Sequence, residues 1–196
     1  MFTALILSGC SQLSDETFCY LFQTLDSEED NKSRKSLNLQ ELKKMESINL
    51  GEFKEKVQGI SLLCLRNLDL DGCVKLTNYS FVSIMFHCPN IQLLILETSH
   101  VNDEALESSS KYLSVLQELS LSSLDLSDSS LNILIKHCTS LRMLTLRNIP
   151  GITPKGLLSL FRLPLLKFVY LSKMENISKN SFVLPFKDKY IYFLDD

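Results

Sequence analysis

The stretch that decides the fold runs from Leu65 to Cys73 and reads LRNLDLDGC. Its apolar residues follow the phrase LxxLxLxxC, in which the alternation LxL is typical of a short strand with one buried face. Related phrases open at Ile91, Leu116, Leu141 and Leu166, at successive intervals of 26, 25, 25 and 25 residues. A constant interval of this length is the sequence signature of a repeat protein.

The second half of each unit repeats as well. A polar pair follows the strand phrase, and an apolar residue follows four positions after the first member of that pair. Ser, Thr, Asn and Asp cap helix starts by accepting a backbone N–H bond, and Pro suits the first helical position. Each unit is therefore predicted to contain a strand, a turn, a helix and a return segment. The pairs are Thr77-Asn78, Asn102-Asp103, Ser127-Asp128, Thr153-Pro154 and Ser178-Lys179.

Stacking is what makes such units stable, because one unit alone cannot bury its apolar face. Parallel strands stack about 4.8 Å apart on one side, whereas helices on the other side are thicker, so the array must curve. We therefore expect an α/β right-handed solenoid of horseshoe shape, with parallel strands on the concave face and helices on the convex face.

Weaker units are predicted towards the ends of the chain. Phe2 to Leu21 matches the template, and Met45-Ile48-Leu50 matches the strand phrase alone, which brings the expected total to seven repeats within residues 1–184. The charged stretch 26–36 (DSEEDNKSRKS) is predicted to be a disordered insertion. Residues 185–196 are predicted to close the array with a strand at 190–194. Because no amphipathic helix precedes Phe2 to cover the first strand, we expect the chain to be part of a longer protein.

The phrases LDLDGCVKLTN and HCPNIQLLIL resemble the cysteine-containing leucine-rich-repeat family, and the resemblance covers residues 1–25 and 39–182. The best-known members are F-box proteins, whose repeats recruit substrates to SCF-type ubiquitin ligases for ubiquitin-dependent degradation. The resemblance implies a substrate-recognition module that would reach SCF components through an F-box, but no F-box precedes the repeats here. The alternative is a scaffold or regulatory repeat protein unconnected with ubiquitin. In the family, the cysteine after the strand turns inward, and Cys10 and Cys73 hold that position here.

Composition narrows the function classes. The net charge of −3 and pI near 5.7 argue against nucleic-acid binding, which normally needs a basic face. No apolar run approaches the roughly 18 to 20 residues that a membrane-spanning helix requires. Six cysteines in a chain with a Leu-rich core indicate buried free thiols in a reducing compartment, hence an intracellular protein of the cytoplasm or nucleus. No Gly-rich phosphate loop is present, and we expect no cofactor.

Two His-Cys pairs are the only constellation that suggests chemistry. His87-Cys88 and His137-Cys138 could hold zinc or form a nucleophile and its base. They occupy the same position in units two repeats apart, so strand stacking alone separates them by about 9.6 Å. Ligands of one zinc ion lie about 2.0 to 2.3 Å from the metal, so the pairs cannot share one ion. We expect both to be structural and the protein not to be an enzyme.

The concave face is the predicted site of function. Side chains alternate across a strand, so the residues that flank each core leucine should project from this face. Exposed apolar side chains there would mark a partner site, unless loops or the C-terminal segment cover them. We therefore predict that an acidic-to-apolar strip from Asp69 to Tyr170 binds a protein or an extended peptide. The predicted contact residues are Asn67, Asp69, Asp71, Leu93, Ile95, Glu97, Glu118, Ser120, Met143, Thr145, Arg147, Phe168 and Tyr170.

Overall fold

The computed structural model describes residues 3–15, 62–97, 100–178 and 189–194, with the backbone alone at Leu62 and Glu97. Short strands alternate with helices along this part of the chain. The α-helices are α1 (Asn78–His87), α2 (Asp103–Ser108), α3 (Asp128–His137) and α4 (Pro154–Ser159), and 3-10 helices lie at Leu62–Cys64, Ser110–Val115 and Leu160–Arg162. The strands are β1 (Ala4–Ile6), β2 (Asn67–Leu70), β3 (Leu93–Glu97), β4 (Glu118–Ser122), β5 (Met143–Arg147), β6 (Phe168–Ser172) and β7 (Tyr190–Phe193).

All seven strands lie in one parallel sheet, in the order of the sequence. The register follows the repeat: Leu94 pairs with Leu119, Leu119 with Leu144, and Leu144 with Val169. Equivalent positions of successive phrases therefore lie side by side across the sheet. The predicted α/β class with parallel strands is confirmed.

β1 and β2 are direct neighbours in the sheet although they are far apart in the sequence. Leu5 of β1 lies opposite Leu68 of β2. The repeat predicted at Met45-Ile48-Leu50 stays a prediction. Those residues, like the stretch 26–36 predicted as an insertion, lie outside the described residues. The seventh strand of the sheet is β7.

The core is a continuous ladder of leucines behind the sheet. The LxL leucines of each repeat strand face this core, as in β5, where Leu144 and Leu146 are inaccessible and their neighbours are not. Cys73 is buried at the turn after β2, and Leu124 and Ile149 occupy the same position in later units. An apolar side chain of any kind satisfies that position, so the thiol is a small hydrophobe there.

Polar residues at the helix starts connect neighbouring units. Thr77, Asn102, Ser127 and Thr153 are N-caps whose side chains accept backbone N–H bonds, as their polar pairs predict. The backbone N–H of each cap also donates to the residue that begins the preceding unit's helix. These inter-unit bonds run from Thr77 to Asp15 (3.0 Å), from Asn102 to Asn78 (3.0 Å), from Ser127 to Asp103 (3.0 Å) and from Thr153 to Asp128 (2.8 Å).

Candidate partner-binding face

The sheet presents one face to the leucine core and the other away from it; we call the second the open face. The predicted contact residues whose side chains are described lie at its outward positions. Asn67, Asp71, Glu118 and Arg147 are exposed, while the others are half-buried against their neighbours. The half-buried set comprises Asp69, Leu93, Ile95, Ser120, Met143, Thr145, Phe168 and Tyr170. For Glu97 the structure gives the strand position only.

The parallel register arranges these residues in rows that cross the strands. Each row contains one residue from each strand, and strands are separated by about 4.8 Å. The chemistry of each row changes from polar and acidic near β2 to aromatic near β7. One row reads Ala4, Asn67, Leu93, Glu118, Met143, Phe168 and Tyr190, and the next reads Ile6, Asp69, Ile95, Ser120, Thr145, Tyr170 and Tyr192.

Four rings stack on the open face of β6 and β7; we call Phe168, Tyr170, Tyr190 and Tyr192 the aromatic cluster. The ring centroids of Tyr170 and Tyr192 lie 5.1 Å apart and those of Phe168 and Tyr190 lie 5.9 Å apart, with nearly parallel planes. Tyr190 and Tyr192 are still 52% and 43% exposed. The C-terminal strand thus lies beside Phe168 and Tyr170 and extends the face with two further rings.

Tyr190 and Tyr192 were missed as candidate site residues by the sequence analysis. The signal was present in the alternation of Tyr190-Ile191-Tyr192-Phe193, because Ile191 and Phe193 pack against the core while the tyrosines point the other way. The segment lacks the LxxLxLxxC phrase, so its register with β6 was not evident from the sequence.

Lys189 anchors the start of β7. Its ammonium group donates to the backbone carbonyl oxygens of Phe161 at 2.5 Å and Leu163 at 2.7 Å. Burial lowers the pKa of this amine, and it lies 5.9 Å from the centre of the Phe161 ring. These contacts fix the strand that carries the two tyrosines of the aromatic cluster.

Charge is unevenly distributed over the open face. The outward positions of β1 to β4 and the turn after β2 hold the carboxylates Asp69, Asp71 and Glu118 and no Lys or Arg. The Asp69 carboxylate accepts the backbone N–H of Asp71 at 2.9 Å, which fixes its position at the strand end. Arg66, which immediately precedes β2, is half-buried, and its guanidinium donates to backbone carbonyl oxygens of the segment before it. At the equivalent positions before β5 and β6, Arg142 and Lys167 are exposed. The face is therefore acidic near β2 and flanked by basic residues near the aromatic cluster.

The two His-Cys pairs lie at the C-terminal ends of α1 and α3, away from the open face. Cys88 and Cys138 are inaccessible, and burial raises the pKa of each thiol to about 12. Both thiols are therefore protonated at neutral pH, whereas an activated cysteine nucleophile is a thiolate. Across the described ranges, no three His, Cys, Asp or Glu residues come together as a metal site would require. No helix in those ranges is both long and apolar enough to span a bilayer.

Comparison with known proteins identified a similar fold but no family. No protein-family model matches the chain, and no curated protein matches it. Among solved structures, the chain is similar to one described as the crystal structure of Rad7 and Elc1 complex in yeast, with 21% sequence identity and a TM-score of 0.50. The match covers 60% of this chain and 32% of that chain, so it spans about a third of the length of the yeast protein. At this identity the similarity supports the fold alone.

Proposed function

We propose that this chain is a leucine-rich-repeat solenoid, and that its open face is the concave surface that binds a protein partner. The observation that carries the proposal is the aromatic cluster. Tyr190 and Tyr192 remain about half exposed although each stacks on a ring of β6. Rigid aromatic side chains that remain accessible are frequent binding hot spots.

The open face suits a protein better than a small molecule. Leu93, Ile95, Met143 and the aromatic cluster form apolar surface across five strands, interspersed with carboxylates and hydroxyls. Extended, accessible apolar surface among polar residues is typical of protein interfaces, whereas small-molecule sites are concave pockets that enclose most of the ligand.

Binding is also favoured over catalysis. The described cysteines closest to histidine are protonated and buried. Of the described open-face carboxylates, Asp69 and Asp71 are neighbours, while Glu118 lies on a strand two steps from that of Asp69. Two strand steps correspond to about 10 Å, which is beyond the reach of a shared proton or metal ion. We therefore propose a binding module that is not an enzyme and needs no cofactor.

The more specific proposal is a substrate-recognition domain of an SCF-type ubiquitin-ligase receptor inside the cell. It is supported by the resemblance of LDLDGCVKLTN and HCPNIQLLIL to the cysteine-containing repeats of F-box proteins. The similar yeast structure is itself a complex of two proteins, in keeping with an assembly role. The second candidate is a scaffold of another intracellular assembly, because the open face favours a partner without specifying ubiquitin.

The test is affinity purification of the protein tagged at its C-terminus at the native locus, with mass spectrometry of the whole complex. Recovery of a cullin and its linker subunit supports the ligase receptor, and other partners without a cullin support the scaffold. A parallel purification uses Tyr170→Ala/Tyr192→Ala, which removes one stacked pair from the aromatic cluster. We expect the main partner to be lost from this variant while circular dichroism and thermal unfolding stay close to wild type.

The matched control is Tyr79→Ala, which removes a tyrosine that is 54% exposed on α1. It should retain the partner because α1 lies on the helical side of the sheet. If the cluster variant retains every partner, or if it unfolds as Leu-to-Ala core variants do, the binding role of the open face is wrong.

A further inference from the structure

The two halves of the open face differ in charge, and this difference specifies what kind of partner segment fits. Resting on the proposed function, we infer that the face binds an extended protein segment with a basic cluster over β2 to β4. About six residues from its basic cluster, the same segment has a proline or aromatic side chain that packs on the aromatic cluster. The inference defines the chemistry and spacing of the ligand for this site.

The half near β2 selects basic side chains. Asp71 and Glu118 are exposed, Asp69 is half-buried, and no Lys or Arg occupies an outward position on β1 to β4. Between these carboxylates lie Leu93 and Ile95, half-buried and apolar. Lys and Arg match such a surface, because their aliphatic stems cover apolar side chains while their cationic ends reach carboxylates.

The half near β7 disfavours basic side chains and favours rings. Exposed Arg142 and Lys167 begin the segments that enter β5 and β6, and no carboxylate occupies an outward strand position on β5 to β7. The nearly parallel rings of Tyr170 and Tyr192 form a flat apolar surface with polar hydroxyl ends. Extended segments with proline dock on aromatic-lined surfaces of this kind, and aromatic rings stack on them.

The strand geometry sets the spacing between the two anchors. β2 and β6 are four steps apart in the sheet, which corresponds to about 19 Å at the usual separation of strands. An extended segment advances about 3.3 Å per residue, so about six residues connect the basic cluster to the ring. A folded helix of the same length would be less than half as long and could not reach both anchors.

A single-stranded nucleic acid is the competing ligand, because bases also stack on aromatic rings. Its phosphates would have to pass over Asp69, Asp71 and Glu118, where the negative charges repel them. The observed charge distribution therefore favours the peptide, and nucleic-acid binding becomes an outcome of the test.

The experiment selects binders to the purified full chain from a display library of random peptides long enough to cross β2 to β7. We expect enriched sequences to share a basic pair and a Pro or aromatic residue about six positions away. Fluorescence anisotropy of the best labelled peptide then measures affinity for the variants. Asp71→Lys/Glu118→Lys should weaken it about tenfold, because two attractions become repulsions, with the largest loss at low salt.

The charge-matched control is Asp125→Lys/Glu175→Lys, which alters exposed carboxylates outside the seven strands and gives the same change in net charge. It should leave the affinity within about twofold, since neither residue holds an outward strand position and exposed charges are screened. Acidic enriched peptides, a single-stranded RNA that binds more tightly than the peptide, or equal losses in both variants would contradict the inference. If the peptide's affinity falls when Tyr192 is replaced but not when Asp71 and Glu118 are replaced, the inferred charge preference is wrong and the proposed function is unaffected. No enriched peptide, together with no partner lost from the aromatic-cluster variant, overturns both.

Discussion

At the scale of single residues, hydrogen bonds between the polar residues at the helix starts join each unit to the next. Asp103 accepts the backbone N–H and the hydroxyl of Ser127, and also the hydroxyl of Ser130. Burial raises the pKa of Asp103, but these hydrogen bonds outweigh it, and the net effect is a lowered pKa. The sequence predicted that Ser127 caps its own helix. It did not predict that the Asp103 carboxylate reaches the following unit, because local patterns carry no information on contacts between units.

At Gly156, the hydrogen-bonded residues of the preceding helix start leave no room for a side chain. This glycine occupies the position of Ser130 one unit later, and a Cβ atom there would lie 1.9 Å from Oδ1 of Asp128. That carboxylate is held by the backbone N–H and hydroxyl of Thr153, so it cannot move without losing those bonds. We expect Gly156→Ala to lower the free energy of unfolding in urea by about 1–3 kcal/mol.

A double variant separates this clash from other effects of the substitution. In an Asp128→Ala background the obstructing carboxylate is gone, so adding Gly156→Ala should be neutral or stabilising by up to about 1 kcal/mol, because Ala favours a helix. Equal destabilisation by Gly156→Ala in both backgrounds would show that the carboxylate is not the cause.

At the scale of elements, the turns after β1, β2, β4, β5 and β6 each contain a residue with left-handed backbone conformation at the same position. It is Gly9 after β1 (φ 76°) and Gly72 after β2 (φ 73°), whereas Ser123, Asn148 and Lys173 adopt φ of 51° to 57° after later strands. Gly is the residue that adopts this conformation without steric cost. A Cβ atom at Gly72 would also lie 3.2 Å from Cα of Gly9, so the first two turns pack closely.

Substitutions at equivalent turns should have opposite effects. We expect Lys173→Gly to raise the free energy of unfolding by about 0.5 kcal/mol, because relief of left-handed strain exceeds the entropy that Gly adds to the unfolded chain. Gly72→Ala should lower it by about 1–2 kcal/mol, because strain and the contact with Gly9 add. Urea unfolding followed by circular dichroism measures both, and a loss of stability in Lys173→Gly would contradict the strain argument.

The strands β2 to β6 show what periodicity can predict. Each lies within the nine positions of its LxxLxLxxC phrase, and the constant interval also indicates the register, because similar phrases pair best when their leucines align. The neighbour of β1 was not predictable in this way. The phrase at Met45 has the right offsets, but which strands are adjacent depends on tertiary packing, and Leu5 pairs with Leu68 instead.

At the scale of the whole molecule, the leucine core and the open face are two surfaces of one sheet with different organisation. The core repeats: Leu96, Leu121 and Leu146 align and are almost inaccessible. The open face does not repeat, and it changes from carboxylates near Asp69 to rings near Tyr192. Repetition of buried residues therefore predicts the fold, whereas the residues that set partner choice are those that vary between units and must be examined one by one.

Position in the stack should determine how much each core leucine contributes. Leu121 lies between Leu96 and Leu146, whereas Leu5, in β1, has one described neighbouring strand and is 6% exposed. We expect Leu121→Ala to lower the free energy of unfolding by about 2–5 kcal/mol, the range for a buried leucine, and Leu5→Ala to lower it by about half as much. Chemical denaturation of both variants tests this, and a larger loss for Leu5→Ala would contradict it.

The direct pairing of β1 with β2 also has a consequence for the order in which the chain folds. The hydrogen bond from the Cys73 thiol to the Leu7 carbonyl joins residues 66 positions apart, whereas the contacts among β3, β4, β5 and β6 each close within one unit. Distant contacts form more slowly, because a longer loop loses more entropy on closure. The strands β3 to β6 therefore assemble with one another first. β1 docks last, and until then the edge of β2 that pairs with β1 stays open to other chains.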